Sequence, residues 1–292
     1  MASKELRVIP LTSVLGARVE NVQAASLGDP DTIQAIRAAL LEHLVLVLPG
    51  QSLTAQQQWD FASAFGKPEP HPVARFFGGE ETIVSIDNEL IAMPDRELPP
   101  HLDNLAEHGA WHTDYTFSPK IPEFATLRAE RVPPVGGDTT WSSMVAAYEA
   151  LSPVLRELLE GLEAVHWHGP HFAPNFGVAR HGEDALRRFE EAFPPVEHPM
   201  VITHPESGRR SLFVNPSYTV QIPAMTPSES DAFLRFLFHH IAKSEFHFRH
   251  HWHTDDLVMW DERATLHLAP TDFLPHRREL VRVAVGSVAP ER

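Results

Sequence analysis

The chain has 292 residues, of which 43% are hydrophobic, and its formal net charge is −15 with the histidines neutral. That charge, without any block of Lys or Arg, argues against nucleic acid or an anionic membrane as a partner. There is no cysteine, so any metal must be held by nitrogen and oxygen rather than by thiolates. The sequence shows neither a signal peptide nor a membrane span of about 20 apolar residues, and we therefore expect a soluble cytoplasmic protein.

The first predicted elements alternate between strands and helices. Residues 6–22 predict two short strands joined by a turn, and the spacing of apolar residues in 31–42 predicts an amphipathic helix. The apolar run 44–48 ends at a Pro-Gly pair and predicts a fully buried strand. Thr54 and Gln57 match a capping box, which predicts that a helix begins there.

Two long irregular segments, residues 67–110 and 165–197, are rich in proline and histidine. The first contains a predicted strand at 81–86, and the second contains a charged helix around 183–192. Irregular segments of this length in a compact protein are usually disordered or cover an active site. We therefore predict two lids within a single domain that spans residues 1–292, because no linker or repeat divides the chain.

Strands dominate the remainder of the chain. They are predicted at 123–130, from Trp141 onward, and at 201–203, 211–214, 246–253, 257–260 and 280–288. Helices are predicted at 144–151, at 153–162, and after a second capping box at Thr226, where the helix should bury Phe233, Phe236, Leu237 and Ile241. This distribution predicts a mainly β fold with helical insertions, a double-stranded β-helix or jelly roll.

Three His-x-Asp pairs are candidates for two of the ligands of a metal site: His101 and Asp103, His112 and Asp114, and His253 and Asp255. With 19 histidines in the chain, chance copies are expected, so the neighbouring residues must decide. The first pair lies in a polar loop, and the aspartate of the third is typical of a turn. The pair at His112 lies in the aromatic stretch 111–117, which predicts a strand that would point both side chains the same way. A second histidine would complete the two-histidine, one-carboxylate face that holds non-haem Fe(II).

Several motifs follow one another along the chain: His112-x-Asp114, Gly136-Gly137-Asp138-Thr139, Trp260-Asp261 with His267, and then Arg278 and Arg282. This set, from about Leu6 to Val288, resembles the taurine dioxygenase family of Fe(II)/2-oxoglutarate-dependent dioxygenases. That family includes the phenoxyacetate-herbicide dioxygenases and the alkylsulfatases. The resemblance implies that His112, Asp114 and His267 are catalytic ligands of Fe(II), with 2-oxoglutarate and dioxygen as co-substrates.

The resemblance also implies a binding site for 2-oxoglutarate. Arg278 resembles the residue that receives the far carboxylate of this co-substrate, and Thr139 occupies the position that assists it. A guanidinium offers a planar pair of donors that matches a carboxylate. Arg278 and Arg282 are four residues apart, so in a strand they share one side, whereas Arg277 should be exposed.

A substrate site is implied by five further positions. His71, in a His-Pro-Val segment, and Arg282 correspond to the residues that hold the sulfonate in taurine-specific members. Phe172 and Tyr218 correspond to aromatic wall positions, and His108 stands where those members carry an asparagine. Ala74 replaces a tyrosine of those members, which should enlarge the pocket.

The expected reaction is hydroxylation of the carbon next to an anionic head group. A taurine-like alkylsulfonate would then release sulfite and an aldehyde; an alkyl sulfate or an aryloxyalkanoate is the alternative substrate class. Two rival interpretations are a zinc enzyme that uses a bound water and a jelly-roll ligand-binding protein without catalysis. The sequence does not fix the oligomeric state, and a homo-oligomer is one option.

Overall fold

A computed structural model describes residues 6–76, 78–88, 109–168 and 183–292. Its helices are α1 (Pro30–His43), α2 (Ala55–Ser63), α3 (Pro72–Phe76), α4 (Met144–Glu149), α5 (Pro153–Glu160), α6 (Glu183–Ala192) and α7 (Pro227–Ile241), with 3-10 turns at Ala24–Ser26 and Ser244–Phe246. Among the described residues, no helix combines the length and apolar character needed to cross a membrane.

Strands make up most of the fold. They are β1 (Arg7–Pro10), β2 (Ala17–Glu20), β3 (Val45–Leu48), β4 (Ile83–Asp87), β5 (Phe124–Arg131), β6 (Thr139–Ser143), β7 (Glu163–His166), β8 (Val196–Pro199), β9 (Val201–Thr203), β10 (Arg210–Leu212), β11 (Thr219–Gln221), β12 (His247–His250), β13 (Leu257–Asp261), β14 (Thr265–Leu268) and β15 (Glu279–Val285).

A seven-stranded sheet with the order β1-β2-β3-β13-β5-β15-β4 forms one layer. All its neighbouring strands are antiparallel except β2 and β3, which run parallel. A three-stranded sheet, β12-β6-β14, forms the second layer. A further three-stranded sheet has the order β11-β7-β8, and β9 pairs with β10 in a two-stranded sheet. The predicted jelly roll with helical insertions is confirmed.

Strand β13 lies between two parts of the core, because its side chains are buried on both faces of the sheet. Leu257 and Met259 pack in one apolar cluster with side chains of α1 and α2. Val258 and Trp260 face the opposite way, and Trp260 packs against Trp141 of β6 with 5.7 Å between ring centroids. Apolar side chains therefore fill the space between helices and the large sheet, and also the space between the two sheets.

Several local predictions are confirmed by the contacts that define each element. Thr54 Oγ1 accepts a hydrogen bond from the Gln57 N–H, and the Gln57 side chain accepts one from the Thr54 N–H, so the capping box is complete. Thr226 and Glu229 form the second capping box, at the start of α7. The strands predicted at 201–203 and 211–214 correspond to β9 and β10, which pair antiparallel.

Other local predictions are wrong in detail. Phe236 of α7 is 44% exposed, because the buried face of this helix passes through Leu234, Leu237 and Phe238 instead. Strand β12 ends at His250, three residues before the predicted end. Within the stretch predicted as a strand at 111–117, only His112 makes a β-bridge, and the chain turns from Asp114 onward.

Candidate metal and substrate site

Backbone pairing brings two of the predicted metal ligands together. His112 and His267 of β14 form an isolated antiparallel bridge, in which the His112 N–H donates to the His267 carbonyl oxygen at 3.1 Å and the His267 N–H donates in return at 2.8 Å. Residues that face each other across such a bridge have neighbouring side chains. The two imidazole rings accordingly lie 4.2 Å apart between centroids.

Asp114 completes the cluster. Its Oδ1 lies 3.7 Å from His112 Nε2 and 4.0 Å from His267 Nε2. Among the described residues, these three are the only group of His, Asp or Glu side chains whose potential ligand atoms all lie within 4.8 Å of one another. Two imidazoles and one carboxylate form the donor set that the sequence predicted.

A turn, rather than the predicted strand, aims the Asp114 side chain. Tyr115 adopts a positive φ of 63°, which reverses the chain immediately after Asp114. The turn is held from both sides: Thr113 Oγ1 donates to the Thr265 carbonyl oxygen at 2.8 Å, and His198 Nε2 donates to the Thr116 carbonyl oxygen at 2.9 Å. Hydrogen bonds to residues distant in the sequence, rather than pairing within a regular strand, therefore place Asp114 beside the two histidines.

The charges in this cluster favour metal binding. Burial raises the pKa of Asp114, but the Arg282 guanidinium and the two nearby imidazoles outweigh it and hold this pKa well below its usual range. Burial, reinforced by His112, lowers the pKa of His267 to about 3. A charged carboxylate and a neutral imidazole are the forms that bind a metal ion. His112 Nδ1 lies 2.9 Å from the Ala110 carbonyl oxygen and donates to it, which leaves Nε2 of the neutral ring free of a proton.

The two residues predicted to bind 2-oxoglutarate are in contact. Arg278 Nη2 donates to Thr139 Oγ1 at 3.2 Å, and Arg278 Nε donates to the Gly137 carbonyl oxygen at 2.8 Å. Trp252, which the sequence did not single out, also donates to Thr139 Oγ1, at 3.0 Å. Burial lowers the pKa of Arg278 to about 10. In the described part of the chain, no carboxylate is paired with this guanidinium, so a carboxylate from a ligand would neutralise it.

Three of the predicted substrate residues surround the metal cluster. Arg282 of β15 forms an ion pair with Asp114 Oδ2. His71 packs edge-on against Tyr115, with 4.8 Å between ring centroids, and Tyr218 lies 6.2 Å from His112 between ring centroids. Burial, and then the charge of Arg282, lowers the pKa of His71 to about 4.

The remaining positions named in the sequence analysis fall into two groups. His108 and Phe172 are outside the described residues, as is the His101 pair. The side chain of His253 is 77% exposed, and Asp255 adopts a positive φ of 69° in a turn. The twin of the Trp-His-Thr-Asp motif therefore lies at the surface, with its histidine in solvent.

Sequence reasoning missed two residues of the site, Tyr115 and Glu262. The Tyr115 hydroxyl accepts a hydrogen bond from Arg282 Nη1 at 2.6 Å. Glu262 is fully buried, and its Oε2 accepts from the Asp114 N–H at 3.1 Å. Burial, together with the charge of Asp114, raises the pKa of Glu262 well above its usual value. The available signal was position: Tyr115 adjoins Asp114, and Glu262 follows an apolar strand where a buried acid needs a polar partner.

Comparisons with known proteins identify the family to which the chain belongs. A family model described as "Taurine catabolism dioxygenase TauD, TfdA family" matches residues 7–284. An alpha-ketoglutarate-dependent sulfate ester dioxygenase of Pseudomonas putida is 32% identical over 98% of this chain and 91% of its own length. An alpha-ketoglutarate-dependent 2,4-dichlorophenoxyacetate dioxygenase of Cupriavidus pinatubonensis is 34% identical over 94% of this chain and 95% of its own length.

Solved structures extend the likeness to three dimensions. The crystal structure of a taurine dioxygenase from Burkholderia xenovorans has a TM-score of 0.80 and 34% identity, over 98% of this chain and 90% of that chain. Together with the His-Asp-His cluster, these relationships imply a 2-oxoglutarate co-substrate and a metal ion. The chain therefore belongs to the TauD/TfdA family of taurine catabolism dioxygenases and is an alpha-ketoglutarate-dependent dioxygenase.

Proposed function

We propose that the metal is Fe(II) and that the enzyme hydroxylates the carbon next to an anionic head group, with a taurine-like alkylsulfonate as the substrate. The convergence of His112, Asp114 and His267 within 4.8 Å is the observation that carries this proposal. Two imidazoles and one carboxylate suit Fe(II) and leave coordination positions open for other ligands. When bound, Fe(II) supplies the oxidative chemistry with 2-oxoglutarate and dioxygen, while the protein binds, orients and excludes water.

Arg278 and Thr139 would hold 2-oxoglutarate. The guanidinium is buried, and Thr139 and Gly137 fix its orientation from one side. A buried cation with this fixed geometry favours a dicarboxylate, since the far carboxylate can accept charge-assisted hydrogen bonds from it. The rival interpretation of a zinc enzyme that uses a bound water gives this buried arginine no purpose.

Arg282 and His71 would hold the head group of the substrate. His71 Nδ1 accepts a hydrogen bond from the Val73 N–H at 3.1 Å, so the neutral ring carries its proton on Nε2 and can donate it to an anion. Hydroxylation of the carbon beside a sulfonate would form a hydroxysulfonate, and cleavage of its C–S bond would release an aldehyde and sulfite. One dioxygen and one 2-oxoglutarate would be consumed in each turnover, giving succinate and carbon dioxide.

An alkyl sulfate is the second candidate substrate. The Pseudomonas relative named for sulfate esters covers 98% of this chain, and a sulfate presents nearly the same three terminal oxygens as a sulfonate. An aryloxyalkanoate is a third, because the Cupriavidus relative is named for one. The cytoplasmic location, the single domain, the two lids and the homo-oligomer stay predictions.

Two measurements test the proposal. Anaerobic addition of Fe(II) and 2-oxoglutarate should produce a weak visible charge-transfer band, which should be lost in His112→Ala and kept in His253→Ala. Colourless wild-type protein would contradict the proposed Fe(II) centre. Succinate formation should then be screened against alkylsulfonates, alkyl sulfates and aryloxy acids. Turnover of aryloxy acids alone would contradict the proposed sulfur substrate.

A further inference from the structure

Tyr115 lies between the two residues proposed to bind the anionic head group. Its ring contacts His71 edge-on at 4.8 Å between centroids, and the guanidinium carbon of Arg282 lies 5.2 Å from the same ring centroid. Its hydroxyl oxygen accepts from Arg282 Nη1 at 2.6 Å. One side chain therefore touches both proposed anion-binding groups.

The Tyr115 hydroxyl still has a hydrogen to donate. A phenol can donate one hydrogen bond while it accepts others, and here the acceptor function is used by Arg282. In the described part of the chain, no acceptor receives the Tyr115 O–H. The residue is only 6% exposed, so bulk water has little access to it. A buried donor without a partner is unfavourable, and a ligand oxygen would relieve that.

Arg282 is available for the same ligand. A guanidinium has five N–H donors. Within the described residues, Arg282 donates one hydrogen bond to Tyr115 and one to Asp114, and Glu262 Oε1 lies 3.9 Å away, beyond hydrogen-bond distance. Its remaining donors and the phenol hydrogen therefore belong to one connected group of atoms beside Asp114.

The backbone fixes Tyr115 in this place. Its φ of 63° is uncommon for a residue with a large side chain, and residues in that region cluster at functional sites. The ring is also held by Phe117, with 6.4 Å between centroids. The hydroxyl therefore needs little rearrangement to meet a ligand, which is the condition for a donor that favours binding.

We propose that the Tyr115 hydroxyl is a third donor to the anionic head group of the substrate, beside His71 and Arg282. This inference rests on the proposed function, and it assigns Tyr115 a substrate-binding role that distinguishes oxyanions from neutral head groups. The anion oxygen accepts the phenol hydrogen while Arg282 continues to donate to the phenol oxygen.

The test compares two variants that each lose one hydroxyl. The chain has only three tyrosines, and Tyr148 lies outside the site, where its hydroxyl donates to Glu160 at 2.5 Å. Binding of hexyl sulfate and hexanesulfonate is measured by calorimetry, anaerobically, with Fe(II) and 2-oxoglutarate present. Tyr115→Phe should raise the Kd of at least one of these ligands about 10-fold, the effect expected for one hydrogen bond to a charged group. Tyr148→Phe should leave both values within about twofold, and 2-oxoglutarate binding should be unchanged in both variants.

A second measurement does not depend on the folding of Tyr115→Phe. Protein containing 3-fluorotyrosine should give three fluorine resonances, of which Tyr148→Phe and Tyr218→Phe identify two, leaving that of Tyr115. Adding hexyl sulfate or hexanesulfonate, whichever binds more tightly, should shift the Tyr115 resonance more than adding hexanol does. Equal shifts, or an unchanged Kd in folded Tyr115→Phe, would overturn the inference alone. Failure of the wild type to bind either sulfo-oxyanion would overturn the proposed function together with it.

Discussion

At the scale of single residues, the buried guanidinium of Arg278 offers a direct test of the proposed carboxylate site. In Arg278→Lys, lysine keeps the charge but cannot present two parallel donors, so we expect the KM for 2-oxoglutarate to rise about 10- to 100-fold. Steady-state kinetics at saturating second substrate would measure this. Arg277→Lys is the matched control, since it makes the same change at the adjacent position outside the site. Equal effects of the two variants would argue against the assignment of Arg278.

The side of the chain on which each arginine before and within β15 lies was predictable from the sequence. Arg278 and Arg282 are both buried, as the spacing of four predicted. Arg277, with the opposite parity, instead pairs with Asp87 at 2.7 Å and is partly exposed. The sequence places Tyr115 beside Asp114 and Glu262 after an apolar strand. It does not reveal their roles, because these depend on contacts with Arg282 and Asp114 that only the folded chain creates.

At the scale of elements, regular helices and strands were predictable where local patterns decide them. The capping boxes at Thr54 and Thr226 and the apolar run of β3 are examples. The segment that carries Asp114 was not, since a His-x-Asp spacing fits a strand and a turn equally well. Hydrogen bonds from Thr113 and His198, which lie far from their partners in the sequence, select the turn.

The turn before β6 offers a test at this scale. Gly137 has a φ of +72°, and a Cβ there would lie 2.8 Å from Pro133 Cγ and 3.1 Å from Arg278 Cδ. Gly137→Ala should therefore displace Arg278 and weaken 2-oxoglutarate binding at least about 10-fold, a loss of about 1.4 kcal/mol. Gly50→Ala is the control, because Gly50 has a φ of +64° and an added Cβ there would meet no atom within 4 Å. Both variants should lose about 1 kcal/mol of stability from the left-handed backbone, but only the first should lose affinity. A normal Kd in Gly137→Ala would contradict this account.

At the scale of the whole molecule, buried histidines should make stability depend on pH. His166 and His198 pack edge-to-face, with 5.1 Å between ring centroids. Burial lowers the pKa of His166 well below 6.5, and His198 lowers it further; burial lowers the pKa of His198 as well. Both rings are therefore neutral in the folded state at pH values where the unfolded chain already binds protons.

The free energy of unfolding should accordingly fall as the pH drops below 6.5. Each ring that stays neutral contributes a slope of about 1.4 kcal/mol per pH unit. Urea unfolding at a series of pH values between about 7.5 and 5.5 would measure it. His166→Gln should make the dependence shallower, whereas His253→Gln, at an exposed position, should not change it. An identical slope in all three proteins would rule out this explanation.

The bridge between His112 and His267 has a consequence for how the enzyme acquires its ion. Main-chain atoms make both hydrogen bonds of that bridge, so they do not require an occupied centre. Chelation should empty the site while leaving circular dichroism unchanged, and activity should return when Fe(II) is supplied again. The folded protein would then keep its metal site intact without the ion, so that the ion could be bound long after synthesis is complete.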